Sequence, residues 1–150
     1  MLTVIGKRLF DPLNEGYPDI LKIYDNSMEM WQGRYSSNPN PYQPYSDPKI
    51  PWQECYAQIM SGEYTYKVIT TDEKLYPHLR LYLNNSEKIP TTNPNKNHNG
   101  LHYAELVNIE KGFSLQWRGS KACQTIHPDD YLSFISHFKM NDTGIYKLIN

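Results

Sequence analysis

Prolines at positions 39, 41, 44, 48 and 51 crowd one short stretch of this chain. Each fixes its own φ and removes a backbone donor, so the stretch can form neither a helix nor a central strand. Residues 36–51 therefore read as a long polar loop, and residues 84–100, rich in Asn and carrying Pro90 and Pro94, as a second. Loops of this length inside a domain are usually functional or mobile. Between them, apolar residues recur at every second position. Tyr64, Tyr66 and Val68 alternate with polar neighbours over 63–70, and Leu79, Leu81 and Leu83 with Arg80 and Tyr82. That period predicts strands. Further strands are expected over 2–9, 20–24, 103–109 and 145–149, with a turn over 11–16 and a short helix over 52–60. Only the stretch from Ile126 through Tyr131, Leu132, Phe134, Ile135 and Phe138 repeats at helical spacing. Pro128 suits its first turn, and Asp129 and Asp130 complement the positive end of its dipole. The expected fold is mainly β (a β-rich α+β domain) with one firm helix over 126–138. At 150 residues, with no internal repeat, the chain suits one domain, 1–150, around one core.

Composition narrows the function. The formal net charge of −1 and the lack of a basic run argue against nucleic-acid binding. No window approaches the roughly 18 apolar residues of a membrane span, so no transmembrane segment is expected. Lys7 and Arg8 follow the first apolar run, the reverse of a signal peptide's order, which predicts synthesis in the cytoplasm without a visible leader. Cys55 and Cys123 allow at most one disulfide. Five scattered histidines and two distant cysteines offer no metal-ligand spacing, so neither metal nor cofactor is expected. Thirteen tyrosines and three tryptophans fit either strand preference or a surface that grips sugars or peptides through amphipathic rings.

Chemistry concentrates at Cys123. It follows the small-residue turn Arg118-Gly119-Ser120-Lys121-Ala122 and precedes Gln124-Thr125-Ile126-His127-Pro128. Nearby cations and a helix N-terminus both favour thiolate over thiol, and hence nucleophilicity. The alternative is a small buried cysteine that only packs. Two histidines are near in sequence. His102 stands at the start of the strand expected to lead toward the cysteine turn, and His127 stands where it can cap the helix. His98 falls in the Asn-rich loop, while His78 and His137 sit in structural patterns.

The segment Ser120-Lys121-Ala122-Cys123-Gln124-Thr125-Ile126 resembles the cysteine signature of L,D-transpeptidase (YkuD-like) catalytic domains. It is closest to small phage and bacterial variants reading Gly-Cys-Gln-Thr-Ile before a proline and an aromatic-containing helix. His102 precedes Ser120 by a spacing the family permits, and Gly62-Glu63-Tyr64 matches a Gly-x-Tyr that opens a strand in these domains. The resemblance is clearest over 100–138. It implies a β-sandwich or barrel and acyl transfer on peptidoglycan stem peptides, as L,D-transpeptidase or L,D-carboxypeptidase. It further implies Cys123 as nucleophile and His102 as base. Positions 102 and 110 share parity along one expected strand, so both would face the active side, with Glu110 as the carboxylate orienting His102. Arg118, Ser120, Lys121 and Ala122 would line the substrate, with Arg118 gripping a carboxylate and backbone N–H groups near Ala122 and Cys123 facing the oxyanion. The protein would act in the periplasm or wall once delivered, as a phage or secreted antibacterial protein with a secretion-system or immunity partner.

Three departures are visible. Lys121 and Ala122 replace the family's His-Gly before the cysteine, and Thr125 replaces an arginine after it. In Ile109-Glu110-Lys111-Gly112, Glu110 occupies the place where relatives often carry histidine. These departures keep open a catalytically degenerate relative that binds peptidoglycan or a protein partner. Glu110 would then only pair with Lys111 or Lys121 at the surface. A papain-like amidase built on Cys55, with His98 or His102 downstream, is a further alternative.

Overall fold

A computed structural model describes residues 1–9, 17–37, 59–91, 102–113 and 123–150. Its strands are β1 (Leu2–Lys7), β2 (Asp19–Asp25), β3 (Met28–Ser36), β4 (Gly62–Ile69), β5 (His78–Tyr82), β6 (Ile89–Thr91), β7 (His102–Ala104), β8 (Asn108–Lys111), β9 (Gln124–Ile126) and β10 (Thr143–Ile149); the helix α1 spans Pro128–Ile135. Eight strands close into a barrel in the order β1-β10-β4-β5-β8-β9-β3-β2, and β6 pairs with β7 in a separate two-stranded sheet. Among the described residues the fold is mainly β with one helix, as the alternating pattern predicts. Closure leaves the barrel no open edge. It depends on two parallel pairings, β1 with β10 and β8 with β9.

Side chains alternate across each strand, so register decides which residues share the interior. Tyr66 lies opposite Leu81, Val68 opposite Leu79, Leu79 opposite Ile109, and Ile109 opposite Gln124. These residues, with Val4, Leu21, Ile23, Tyr35, Ile126 and Tyr146, fill the barrel. Tyrosine supplies much of that bulk, which accounts for part of its abundance. Gly6 and Gly144 lie where a Cβ would collide with the Tyr35 and Tyr66 side chains respectively, so these large inward rings depend on glycine, for Tyr66 directly across the strand pair.

α1 is fastened to β3. The Arg34 side chain bonds both Asp130 carboxylate oxygens at 3.0 Å, and its backbone N–H reaches the same group. Phe134 buries its ring against Trp31 and Phe138, and the Tyr131 hydroxyl donates to the Pro77 carbonyl at 2.6 Å.

Several expectations need correction. The helix is shorter than 126–138, because Gln124–Ile126 belongs to the sheet. Three-residue strands have no periodicity to show. Residues 103–109 do not form one strand: β7 ends at Ala104, Leu106 adopts φ +58°, and β8 starts at Asn108. A non-glycine residue in that conformation breaks an extended run. β3 lies in a stretch assigned no element, since its outward Met28, Met30 and Arg34 blur the alternation. The loop expected over 84–100 contains β6, and Ile59, expected in a helix over 52–60, instead forms an isolated bridge to Thr91. The proline-rich stretch 38–51, Cys55 and His98 lie outside the described residues.

Candidate functional site

Cys123 enters β9 immediately before Gln124, and that neighbour fixes which way it points. The Gln124 side chain is inside the barrel, donating to the Ser37 carbonyl at 3.3 Å and accepting from the Tyr146 hydroxyl at 2.9 Å. Alternation therefore sends Cys123 and Thr125 to the outer face. There the Asn108 backbone N–H donates to Cys123 Sγ at 3.3 Å, and Sγ approaches the Leu106 carbonyl at 3.9 Å. The positive φ at Leu106 thus lies beside the thiol, a common location for a strained backbone at functional sites.

Two polar rows cross β5, β8 and β9 on this outer face. In one, Arg80 pairs with Asn108, donating from Nε to Oδ1 at 2.7 Å, and Asn108 adjoins Cys123. In the other, Glu110 lies opposite Thr125. Continuing the Leu79–Ile109 register by one step places His78 opposite Glu110. Outward residues on a barrel are normally wet, yet His78 is 0 %, Thr125 1 % and Glu110 8 % exposed. Among the described residues, the buried His78 Nε2 and Thr125 Oγ1 of this row have no hydrogen-bond partner, and Glu110 Oε2 meets Lys74 Nζ. Buried polar atoms are nearly always satisfied, so two orphans beside a buried ion pair mark a place kept polar for something other than packing.

Charge enters from the loop between β4 and β5. Lys74 Nζ makes a close ion contact with Glu110 Oε2 at 2.5 Å and sits 5.6 Å from the Tyr76 ring centroid. Partial burial alone would lower the Lys74 pKa. The Glu110 carboxylate outweighs it, with smaller help from Tyr76 and Cys123, and the ammonium ends above its ordinary value. His78 moves the other way: burial lowers its pKa, against smaller opposing pulls from the Tyr76 carbonyl and Glu110. Nδ1 lies 3.0 Å from the Tyr76 carbonyl, which accepts a proton but cannot donate one. The neutral ring therefore carries its hydrogen on Nδ1 and presents Nε2 as an acceptor.

The residues singled out in the sequence are placed unevenly. Cys123 and Glu110 share the outer face. The helix start, however, does not act on the thiol, because three extended residues, four steps or about 13 Å of chain, separate Cys123 from the cap at His127. Dipole effects fade within one turn. Among the described residues, Lys74 is a positive charge that interacts electrostatically with the thiol. His102 stands on β7, its backbone paired with Thr91 in the small sheet. The single strand that would have put His102 and Glu110 on one face by parity is therefore absent. Glu110 is buried against Lys74 and not paired at the surface with Lys111. Arg118, Ser120, Lys121 and Ala122 lie outside the described residues. His127 is the helix cap: Nδ1 accepts from the Asp129 N–H at 3.1 Å, and its ring meets Tyr17 at 5.0 Å.

Lys74, His78, Arg80 and Asn108 carried no signal that sequence reasoning used. The run His78-Leu79-Arg80-Leu81 looks like an ordinary half-wet strand, and only the covering of its outer face gives it another meaning. Among the described residues, no group of three or more His, Cys, Asp or Glu is arranged to hold a metal ion. Among the described residues, no helix is long and apolar enough to cross a membrane. The chain matches no protein-family model, no curated protein and no solved structure.

Proposed function

We propose that this protein is a cysteine acyl-transfer enzyme of YkuD-like architecture that acts on peptidoglycan stem peptides. One observation carries the reading: an outward Cys123 Sγ, held by the Asn108 N–H, lies beside a buried polar row and the Lys74–Glu110 pair. A thiolate in such surroundings is stabilised by a cation and by a backbone donor. The element order adds support, since the Glu110 strand lies parallel to and beside the cysteine strand, and a helix follows.

In this reading the Cys123 thiolate attacks a stem-peptide carbonyl, and the thioester is resolved by water or by an acceptor amine. Arg118, Ser120, Lys121 and Ala122 supply the substrate contacts the resemblance implies. The protein meets its substrate in the periplasm or wall after delivery by phage lysis or a secretion system. A second reading, a non-catalytic binding module, draws on Glu110 standing where the resemblance places an imidazole.

Mass spectrometry of muropeptides incubated with the protein decides between them. Tetrapeptide trimmed to tripeptide marks a carboxypeptidase; new cross-links or amino-acid exchange mark a transpeptidase. Cys123→Ser is expected to cut turnover by about a thousandfold or more, since the hydroxyl is a far weaker nucleophile here. Full turnover in that variant overturns the proposal. A folded wild type inert on several stem-peptide types favours the binding module.

A further inference from the structure

We infer that Lys74 is the proton-transfer partner of Cys123, in the place an imidazole would otherwise take, with Glu110 as its holder. The inference rests on the acyl-transfer reading and goes beyond it, because Lys74 lies outside every segment that carries the family resemblance.

The geometry comes from register. Glu110 lies opposite Thr125, and Cys123 is two residues earlier on the same strand and the same face. Such diagonal neighbours have Cα atoms about 7–8 Å apart, within the joint reach of a cysteine and a lysine. Lys74 Nζ touches the Glu110 carboxylate, lies beside the Tyr76 ring and interacts electrostatically with Cys123. The ammonium is thus held on the carboxylate that lies diagonally across the β8–β9 pair from the thiol.

The chemistry assigns Lys74 an order of action. Its raised pKa keeps it protonated at neutral pH, so it enters the cycle as an acid beside a thiolate. The thiolate attacks the amide carbonyl carbon, forming a C–S bond. As the C–N bond breaks, the ammonium gives its proton to the departing amine. Neutral Lys74 then takes a proton from the attacking water or acceptor amine. The C–S bond breaks, and the ion pair is restored. Amide plus water becomes acid plus amine, or amide plus a second amine becomes a new amide plus the released one. An amine leaving group and a lysine have similar basicity, which suits transfer between them.

Other described groups around the pair need not titrate in the range that matters. Facing Lys74 are Glu110, Tyr76 and Cys123; facing Glu110 are also His78 and Tyr131. Burial lowers His78 and raises Tyr76 and Tyr131, so all three stay neutral near pH 7–9.

The test is iodoacetamide labelling of the Cys123 peptide against pH, read by mass spectrometry, together with stem-tetrapeptide turnover. The wild-type midpoint is expected below the ordinary thiol value of about 8.5. Lys74→Met should raise it, slowing labelling at pH 7 by about tenfold per unit. Lys74→Arg should keep the low midpoint yet lose turnover, because guanidinium retains charge but does not release its proton. A Lys74→Met profile superimposed on wild type, or full turnover in Lys74→Arg, overturns the inference. So does loss of turnover in His102→Ala alone. A Lys74-dependent thiol in a wild type that turns over no stem peptide supports the pairing and removes the substrate reading instead.

Discussion

Gln124 and Thr125 are adjacent in sequence and point into two different polar environments. Inside the barrel end, Gln124 belongs to a network in which each group has a partner. Asp19 accepts from the Leu9 N–H at 2.9 Å and from the Ser37 N–H and hydroxyl at 2.9 and 2.7 Å. Arg8 donates to Ser37 Oγ at 2.9 Å and to the Ile59 carbonyl at 2.5 Å. Tyr35 and Tyr146 share a hydrogen bond at 2.9 Å, and Tyr146 reaches Gln124. Outside, Thr125 and His78 each keep a buried polar atom without a partner, in the row where Glu110 meets Lys74. Both clusters are buried, so burial does not separate them. Satisfaction does: a completed network holds a fold together, whereas an incomplete one keeps hydrogen-bonding capacity in reserve.

The largest expected effect tests the inner cluster. Asp19→Ala leaves three donors without their charged acceptor, so it should destabilise the protein by about 3–5 kcal/mol. Denaturant unfolding of the purified variant measures this. A loss below about 1 kcal/mol would mean that the network is not structural.

An intermediate effect belongs to His78. Burial holds its folded-state pKa below the ordinary 6.5, so the unfolded chain binds the extra proton first. Stability is therefore complete above about pH 6.5 and declines as pH falls toward the folded-state value. His127 is lowered by burial and by Arg34, and acts in the same direction. His78→Asn keeps a donor for the Tyr76 carbonyl but cannot titrate. Thermal melts from pH 7.5 to 4.5 should show a shallower acid decline in this variant than in wild type. Parallel declines would mean that His78 is not held neutral.

The smallest effect is the sharpest contrast. Thr125→Val replaces an orphaned hydroxyl by a methyl of similar shape, so the folded state should be unchanged or stabilised by up to about 1 kcal/mol. Urea midpoints of wild type and variant check this. A loss comparable to that of Asp19→Ala would erase the distinction between the two clusters.

Legibility followed local pattern. The strands Gly62–Ile69, His78–Tyr82 and Thr143–Ile149 announce themselves by alternation, and Pro128-Asp129-Asp130 with Tyr131 and Phe134 announces the helix. Cys123 stands out through its neighbours. Lys74 does not, since a lysine in the polar loop of Thr71-Asp72-Glu73 looks like any solvated charge. His102 and Glu110 looked coupled because parity holds along an unbroken strand, and the positive φ of Leu106 breaks that condition.

The sequence by itself determined the alternation of β4, β5 and β10, with its inward and outward sides, and the start of the helix at Pro128. These are properties of a few consecutive residues and their backbone geometry. Only the tertiary structure decided that β9 lies between β8 and β3, that the barrel closes through β1 and β10, and that an outward face is covered. Those outcomes depend on register between segments far apart in the chain, and register is what brought Lys74, Glu110 and Cys123 together.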